Sequence, residues 1–426
     1  MSDTPSEFFR EILNRVPVQP LLRFRCVCKA WLKIIDYPAF IKSHLNRQSG
    51  GTQIIIKNSS GSKLYTLSLD SLTSSKTRTK TIWAERLETP TRNGVLRIPT
   101  LPVATCNGLI LISHYHPEKS WTLRNPFTHD FLELPAYDEE TCILRGGMAC
   151  GGVGYDCVSD DYKVVRIAQI YSPDNKTPML ETLVYSLKLC YWRRVNDFPN
   201  CYIPSHGEHG VYVNGALHWR TFRKQRGQAM ECIIAFDLVA ENYRTMPLPS
   251  DLTEPKMSLG SDMYLDVLGE CLFLSCCYWI TRLDGWIMKD CGGIYSWTKL
   301  FSFTGLGSIS AMGKLRPIAY LKNEGLVLLQ HDHEEFFLYD VEKKSAKRFK
   351  IGGAPSYMCS QVLPASLFRL IDDGGSDEDD DDDDDASIEA IGTAGRKRKR
   401  KSAKDRLKLT LTNTNVYNDT DVWDFH

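Results

Sequence analysis

The chain has 426 residues, of which 42% are hydrophobic and 24% are charged, and its 52 basic and 52 acidic residues balance to a formal net charge of zero. This content is enough for a large core, and the length predicts two or three structural units. No run approaches the ~20 consecutive apolar residues that span a bilayer, and the N-terminus lacks a basic-then-apolar leader. We therefore expect a protein that is neither secreted nor membrane-spanning, with no membrane among its partners.

The first 45 residues predict three short amphipathic helices. The segment Thr4-Pro5-Ser6-Glu7 fits a capping box with proline at the first helical position, so a helix begins there and runs up to Pro17. Pro20 opens a second helix, and a third, around Trp31, ends before Pro38. Each helix has only about ten residues, which is too short to be stable alone in water. We expect the surplus apolar side chains to contact a partner.

Residues 4 to 45 resemble the F-box of plant-type F-box proteins, through the runs Pro5–Val18, Leu21–Trp31 and Tyr37–Phe40. One departure is Thr4, where the family usually has leucine. The resemblance implies binding of a Skp-type adaptor, and through it of the cullin and RING subunits of an SCF ubiquitin ligase. The adaptor contacts implied by the motif are Pro5, Ile12, Leu13, Val16, Pro17, Leu21, Val27 and Trp31.

A repeat of about 55 residues, close to the ~50 of kelch-type blades, follows the helices. Its turn signals lie near Gly51, Gly108, Asp161, Gly215, Gly269 and Gly325. Short apolar strands and the hairpin signals Asn107-Gly108 and Asn214-Gly215 favour antiparallel sheets. Six units closed in a ring leave only short edges, which predicts a β-propeller of about six blades, with a β-sandwich as the alternative.

The same region resembles the F-box-associated, kelch-like domain that follows the F-box in this plant family. The runs that carry this resemblance include Cys106–Leu109, Leu123–Pro126, Gly154–Asp156, Asp161–Val165, Trp192-Arg193, Val213–Trp219 and Ile234–Leu238. The expected fold class is α+β multidomain, with an F-box over residues 1–48 and the β domain over residues 49–370. A disordered acidic-then-basic tail over 371–406 and a C-terminal segment over 407–426 complete the predicted organisation.

The predicted tail contains eleven acidic residues between Asp372 and Asp385, followed by six consecutive basic residues. Neither block can form a core. The basic block has the pattern of a nuclear-import signal; an inert solvated tail and non-specific contact with nucleic acid are the alternatives. We expect an importin as a partner and a location in nucleus and cytoplasm, whereas nucleic acid is not an expected partner. The signal comprises Arg396, Lys397, Arg398, Lys399, Arg400 and Lys401.

Two histidine pairs, one glycine-rich segment and the cysteines are the candidates for catalytic or metal sites. His114-Tyr115-His116 and His331-Asp332-His333 each place two imidazoles close together, but a polar loop at a strand end explains both. The glycines between Gly146 and Gly154 lack the Lys-Ser/Thr of a phosphate loop and are interpreted as turn glycines. The 14 cysteines are scattered and predict reduced core thiols. We expect no catalytic residues, no metal and no cofactor.

The function predicted from these features is that of a substrate-receptor subunit of an SCF-type ubiquitin ligase, which is not itself an enzyme. The F-box would bind the adaptor, and the β domain would recruit an unidentified target protein. The alternative is a non-ligase interaction scaffold with a vestigial F-box. Trp121, Tyr137 and Trp286 are candidate anchors for a bound protein, although blade aromatics more often belong to the core.

Overall fold

The computed structural model describes 17 segments of the chain, and the following account is confined to them. They are residues 4–47, 53–58, 64–73, 81–87, 99–114, 120–136, 149–171, 178–199, 202–204, 209–225, 228–252, 261–278, 282–291, 294–304, 315–321, 325–353 and 358–370. The helices and sheets described below belong to one compact unit, Met1–Asp373. The predicted tail and C-terminal segment, residues 371–426, lie outside the described residues.

Within residues 4–47 the chain forms four short helices. They are α1 Thr4–Leu13, α2 Val18–Phe24, α3 Lys29–Ile35 and α4 Pro38–Arg47. The prediction of three helices was wrong, because Pro38 opens α4 instead of ending the helical region; proline is well tolerated in the first turn of a helix. Phe40 and His44 are the buried residues of α4. No helix in the described part of the chain is long and apolar enough to cross a membrane.

Two short stretches connect the first three helices tightly. Pro17, in extended conformation with ψ 157°, precedes α2, so this helix begins before Pro20 and not at it. Cys28 caps α3, where its Sγ accepts a hydrogen bond from the backbone N–H of Trp31 at 3.4 Å. Arg25 and Asp36 form a part-buried ion pair at 2.7 Å that joins the end of α2 to the end of α3.

The described residues also contain 26 strands, one further short helix, α5 (Asp70–Thr73), and a 3-10 turn at Ser250–Leu252. The first thirteen strands are β1 Gln53–Asn58, β2 Leu64–Ser68, β3 Thr81–Trp83, β4 Glu85–Leu87, β5 Pro99–Cys106, β6 Leu109–His114, β7 Ser120–Arg124, β8 Phe131–Glu133, β9 Ala149–Asp156, β10 Asp161–Tyr171, β11 Pro178–Ser186, β12 Tyr191–Arg194 and β13 Tyr202–Pro204. The others are β14 Val211–Val213, β15 Ala216–Gln225, β16 Gln228–Asp237, β17 Tyr243–Met246, β18 Ser261–Leu268, β19 Cys271–Tyr278, β20 Arg282–Cys291, β21 Ile294–Thr304, β22 Leu315–Leu321, β23 Leu326–His331, β24 Glu335–Asp340, β25 Ser345–Gly352 and β26 Met358–Leu363.

These strands form six separate sheets, which are the blades of a β-propeller. Blade 1 has the order β26-β1-β2-β4, blade 2 β5-β6-β7-β8 and blade 3 β9-β10-β11-β12. In blade 4, β14 and β13 both pair with β15, which is followed by β16 and β17. Blade 5 is β18-β19-β20-β21, and blade 6 is β22-β23-β24-β25 with β3 at its edge. The first strands of neighbouring blades contact one another around the ring. The prediction of a six-bladed propeller is thus confirmed over the sandwich.

The ring closes through two crossings between its first and last blades. The late strand β26 pairs antiparallel with β1, so that Leu363 lies opposite Gln53. In the other direction, β3 leaves blade 1 and adds to blade 6 by pairing parallel with β25, with Trp83 opposite Gly352. Strands from the two ends of the domain therefore hold the ring together.

The predicted Asn-Gly hairpins are present at the turns β5–β6 and β14–β15. Both residues of each turn have positive φ, 50° and 86° for Asn107 and Gly108 and 49° and 77° for Asn214 and Gly215. This is the backbone geometry of the type I′ turn that suits the twist of two-residue hairpins.

The interpretation of the Gly146–Gly154 segment as turn glycines was wrong where the structure describes it. Gly151, Gly152 and Gly154 lie within β9, the innermost strand of blade 3. A Cβ atom on Gly152 would come within 2.8 Å of the side chain of Leu217 in blade 4. Side chains of both neighbouring blades fill the space that these glycines leave, so the glycines serve the packing between blades. Gly146 and Gly147 lie outside the described residues.

Candidate functional site

Several large apolar side chains of the helices are exposed, on α1 and in the turn that follows α2. On α1, Phe8 is 66% exposed, and Ile12, one helical turn later, is also exposed. Val27, in the turn before α3, is 60% exposed. Single exposed apolar residues are common on proteins, but several in one small domain indicate an interaction site.

A row of aromatic rings connects Phe8 and Phe9 of α1 to α2 and α3. The ring centroid of Phe9 lies 6.4 Å from those of both Phe8 and Trp31, and Phe24 of α2 lies 5.3 Å from Trp31. Trp31 and Phe24 are partly buried against the core, whereas Phe8 and Phe9 face solvent. We call Phe8, Phe9, Ile12 and Val27 the exposed apolar surface.

The eight adaptor contacts predicted from the motif fall into different environments. Ile12, Pro17 and Val27 are exposed, and Val16 and Trp31 are partly buried. Leu13 and Leu21 are only 1% and 0% exposed and lie in the core, so in this conformation they support the helices and offer no surface to a partner. The side chain of Pro5 lies outside the described residues.

Sequence reasoning missed several exposed residues that belong to the same helices. They are Phe8, Phe9, Leu32 and Tyr37. Arg10 lies over the ring of Tyr37, with its guanidinium carbon 5.7 Å from the ring centroid. The short length of the helices predicted a surplus of apolar side chains, but the adaptor contacts were taken from the motif, and the motif does not single out these four residues.

The buried sides of the helices share one apolar cluster with the propeller. From the helices it includes Leu13, Val18, Leu21, Ile35 and Phe40. From the propeller it includes Ile55, Leu64, Ile110, Ile112, Phe127 and Leu363. The helical domain therefore rests on the propeller face that carries the β7–β8 turn, and we call this the F-box face.

The conspicuous Asp-Tyr-Lys run of β10 joins blades 3 and 4. The Nζ of Lys163 lies 2.8 Å from a carboxylate oxygen of Asp156 and 3.0 Å from one of Glu241, and donates to the carbonyl of Leu238 at 2.7 Å. Arg193 also pairs with Glu241. Burial by itself raises the pKa of Asp156, but hydrogen bonds from Lys163, Ser159 and the backbone outweigh it and lower that pKa to about 2. These ion pairs and hydrogen bonds join blade 3 to blade 4.

The candidate histidine sites have structural roles in the part of the chain that the structure describes. His331 is buried at the end of β23, and Asp332 and His333, with φ of 47° and 62°, form the tight turn into β24. Among the described residues, no group of three or more His, Cys, Asp or Glu side chains could hold a metal ion. The side chain of His114, and Tyr115 and His116 entirely, lie outside the described residues.

The three candidate aromatic anchors of the propeller also fall into different environments. Trp286 is only 1% exposed and belongs to the core between blades 4 and 5. Trp121 is partly buried and packs with Trp192 of blade 3, and Tyr137 lies outside the described residues. No described residue of this set is a freely exposed anchor.

Comparison with known proteins assigns both parts of the chain. Residues 5–43 match the F-box domain, and residues 55–366 match the F-box associated beta propeller domain. F-box protein CPR1 of Arabidopsis thaliana is 29% identical over 384 residues, which cover 86% of this chain and 89% of that protein. An F-box/kelch-repeat protein of the same plant is 28% identical over 352 residues, covering 79% and 87%.

Resemblance to solved structures is much weaker. A post-proline cleaving enzyme from Rickettsia typhi aligns with a TM-score of 0.38 at 9% identity, covering 82% of this chain and 58% of the enzyme. So low a similarity carries no functional argument.

Proposed function

The chain belongs to the family of plant-type F-box proteins with an F-box associated beta propeller domain, and on that basis we propose that it is a substrate-receptor subunit of an SCF-type ubiquitin ligase. Proteins with these two domains typically act as such receptors, and the family is generally non-catalytic. The F-box would bind a Skp-type adaptor, and through it the cullin and RING subunits. Ubiquitin transfer would then depend on proximity between a bound target and the charged conjugating enzyme.

The observation that carries the proposal is the exposed apolar surface on the F-box. The helices already bury one side against the propeller, so Phe8, Ile12 and Val27 are left without a core to enter. Covering such side chains with a partner is favourable at about 25 cal/mol for each Å² of apolar surface removed from water. An adaptor that covers α1 and the turn before α3 accounts for their exposure.

The propeller would recruit the target protein. The helices cover part of its F-box face, at blades 1 and 2, and we propose that the target binds the opposite face or the outer rim of the blades. This arrangement separates the two partners of the chain, so that adaptor and target can be bound at the same time.

Binding of a recombinant Skp-type adaptor to the full chain tests the proposal. Ile12→Asp and Val27→Asp each place a carboxylate in the exposed apolar surface, and we expect at least a tenfold loss of affinity for each. Val239→Asp is the matched control, because Val239 is 46% exposed on the β16–β17 turn of blade 4, and no described residue of this turn belongs to the cluster shared with the helices. Its affinity should equal that of the wild type. Equal binding by all three variants would show that the adaptor does not use this surface.

A second candidate function is a non-ligase scaffold with a vestigial F-box, and Thr4 in place of the usual leucine is the observation that favours it. The same experiment separates the two functions. If the wild-type chain captures no Skp-type adaptor at micromolar concentrations, the scaffold explanation replaces the ligase proposal.

We also propose that the protein is located in both nucleus and cytoplasm, with an importin recognising Arg396 through Lys401. Support for this comes from the sequence alone, because these residues lie outside the described structure.

A further inference from the structure

The segment after the last propeller strand crosses the F-box face. Asn125 of blade 2 donates hydrogen bonds from its Nδ2 to the carbonyls of Ser366, at 3.0 Å, and Phe368, at 2.7 Å. Arg369 forms an ion pair with Asp130 at 2.8 Å. We call residues 364–370 the strap. Asn125 is fully buried, so these bonds are shielded from water and hold the strap firmly on blade 2.

Alternate side chains of the strap belong to different apolar clusters. Ala365 and Leu367 are part of the cluster that contains the F-box core. Phe368 and Leu370 pack with the cluster between blades 2 and 3, where the ring of Phe368 lies 4.6 Å from that of Tyr162. The strap therefore contributes Ala365 and Leu367 to the cluster that the F-box and the propeller share, and Phe368 and Leu370 to the cluster between blades 2 and 3.

A separate contact holds the F-box at blade 3. Lys42 of α4 lies 3.2 Å from Asp160 in the β9–β10 turn and 5.4 Å from the ring centroid of Tyr155. Tyr155 also donates a hydrogen bond to Asp160. An exposed ion pair contributes little energy by itself, but it adds a second point of contact between the propeller and a domain that shares an apolar cluster with the strap.

We propose that the strap, together with the Lys42 contact, locks the F-box in one orientation on the propeller, and that Leu367 is a positioning residue for ubiquitin transfer. The second half of this statement rests on the proposed function. A locked F-box sets a fixed distance between the adaptor on one face and a target on the propeller, which restricts the target lysines within reach of the conjugating enzyme.

The distance between F-box and propeller in the purified chain tests the lock directly. Fluorophores on non-canonical amino acids at Lys33 of α3 and Val239 of the β16–β17 turn, both exposed, report this distance by energy transfer. Two truncations form a matched pair: a chain ending at Leu370 keeps the strap, whereas one ending at Leu363 keeps every strand and loses the strap. We expect one narrow distribution for the full chain and the longer truncation, and at least a doubled width for the shorter one.

A point variant makes the test independent of truncation. Leu367→Glu places a charge in the cluster shared with the F-box and leaves all strands intact, and it should also broaden the distribution at least twofold. Leu189→Glu, at an exposed position of the β11–β12 turn, is the matched control and should leave the width unchanged. An unchanged width in Leu367→Glu and in the shorter truncation would overturn the proposal. Loss of the β-sheet circular dichroism in both would overturn it too, because the strap would then be part of the propeller fold.

The effect of the locked F-box on ubiquitin transfer is measured in a ligase reconstituted from recombinant adaptor, cullin and RING subunits. The probe is ubiquitin transfer to the chain itself, with modified lysines mapped by mass spectrometry. Leu367→Glu should retain adaptor binding and modify a wider set of propeller lysines than the wild type; an identical set would contradict the positioning role. If the wild-type chain fails to bind the adaptor, the proposed function fails, while the distance measurement still decides whether the F-box is locked.

Discussion

Glu241 shows how the ionic cluster between blades 3 and 4 determines local backbone conformation. Its φ of 51° lies in the left-handed region, which costs a residue with a Cβ atom about 1–2 kcal/mol. Lys163 and Arg193 both pair with its carboxylate, and Asn196 donates to its carbonyl oxygen at 3.2 Å. These partners compensate for the strain and explain why an acidic residue occupies a position that glycine would adopt more easily.

The first prediction is that Lys163→Met strongly destabilises the propeller. The substitution preserves much of the side-chain volume, but it leaves the buried carboxylate of Asp156 without the cation it pairs with and leaves Glu241 paired with Arg193 alone. Breaking a buried pair in this way typically costs about 3–5 kcal/mol of unfolding free energy. Denaturant unfolding of the two purified proteins provides the measurement.

Lys343→Met is the control for this prediction. Lys343 also pairs with an aspartate, Asp340 at 2.7 Å, but its side chain is 77% exposed, so its loss should lower the free energy of unfolding far less than the loss of Lys163. Similar losses for the two variants would mean that the cluster at Lys163 is not held by its buried charges.

The predicted adaptor residues illustrate the limit of sequence reasoning at this scale. Helical spacing correctly indicated that apolar residues of the F-box line up on faces, and Ile12 and Val27 are exposed as an interface requires. The same spacing could not separate them from Leu13 and Leu21, which the core buries. Which face is covered depends on propeller residues such as Phe127, more than a hundred positions away.

At the scale of single elements, β9 contradicts the ordinary association of glycine with turns. A glycine in a strand usually weakens it, because it adds backbone entropy and no side chain to pack. Because glycine has no side chain, Trp121 from blade 2 packs closely against Gly151 of β9, and Leu217 from blade 4 packs closely against Gly152. The strand lies at the centre of the ring, where neighbouring blades are closest.

The second prediction is a coupling between Gly152 and Leu217. Gly152→Ala should destabilise the protein by about 1–3 kcal/mol, because the new Cβ atom overpacks a site 2.8 Å from Leu217. Leu217→Ala alone should cost about 2–5 kcal/mol through the cavity it leaves. In the double variant the new methyl group partly fills that cavity, so the combined loss should be smaller than the sum by about 1 kcal/mol or more. Additive losses in denaturant unfolding would refute the proposed contact.

Elements defined by local signals were predictable, and elements defined by distant partners were not. The Asn107-Gly108 and Asn214-Gly215 turns follow from residues that favour positive φ, whatever the rest of the fold does. By contrast, β3 is a strand only because β25, roughly 270 residues later, offers its edge, and no pattern within three residues can indicate that. The glycines of β9 were misinterpreted for the same reason.

At the scale of the whole molecule, the six-blade count followed from the repeat spacing, because each blade is a similar unit of sequence. Ring closure did not follow, since it joins β26 to β1 across about three hundred residues. The strap follows β26, the strand that closes the ring, and contributes Ala365 and Leu367 to the apolar cluster of the F-box. The two domains, which the sequence presents as consecutive segments, therefore share one apolar cluster.

The last prediction concerns where the whole molecule resides in the cell. The six basic residues from Arg396 to Lys401 are separated from the acidic run ending at Asp385 by ten residues. If an importin binds the basic run, replacing Lys397, Arg398, Lys399 and Arg400 with alanine should move a fluorescently tagged chain towards the cytoplasm.

Adaptor binding by this variant should stay at the wild-type level, because the substitutions lie far along the chain from the F-box.

A companion variant, with the aspartates from Asp379 to Asp385 changed to asparagine, tests whether the acidic run competes with the importin for the basic run. If the ten residues between the two runs behave as a random coil, their typical end-to-end distance is roughly 15–20 Å, about two Debye lengths at physiological salt, so strong pairing requires direct approach of the two runs. If such pairing shields the signal, the companion variant should become more nuclear than the wild type. Equal nuclear fractions for the wild type and the alanine variant in live-cell imaging would show that the basic run is not the import signal.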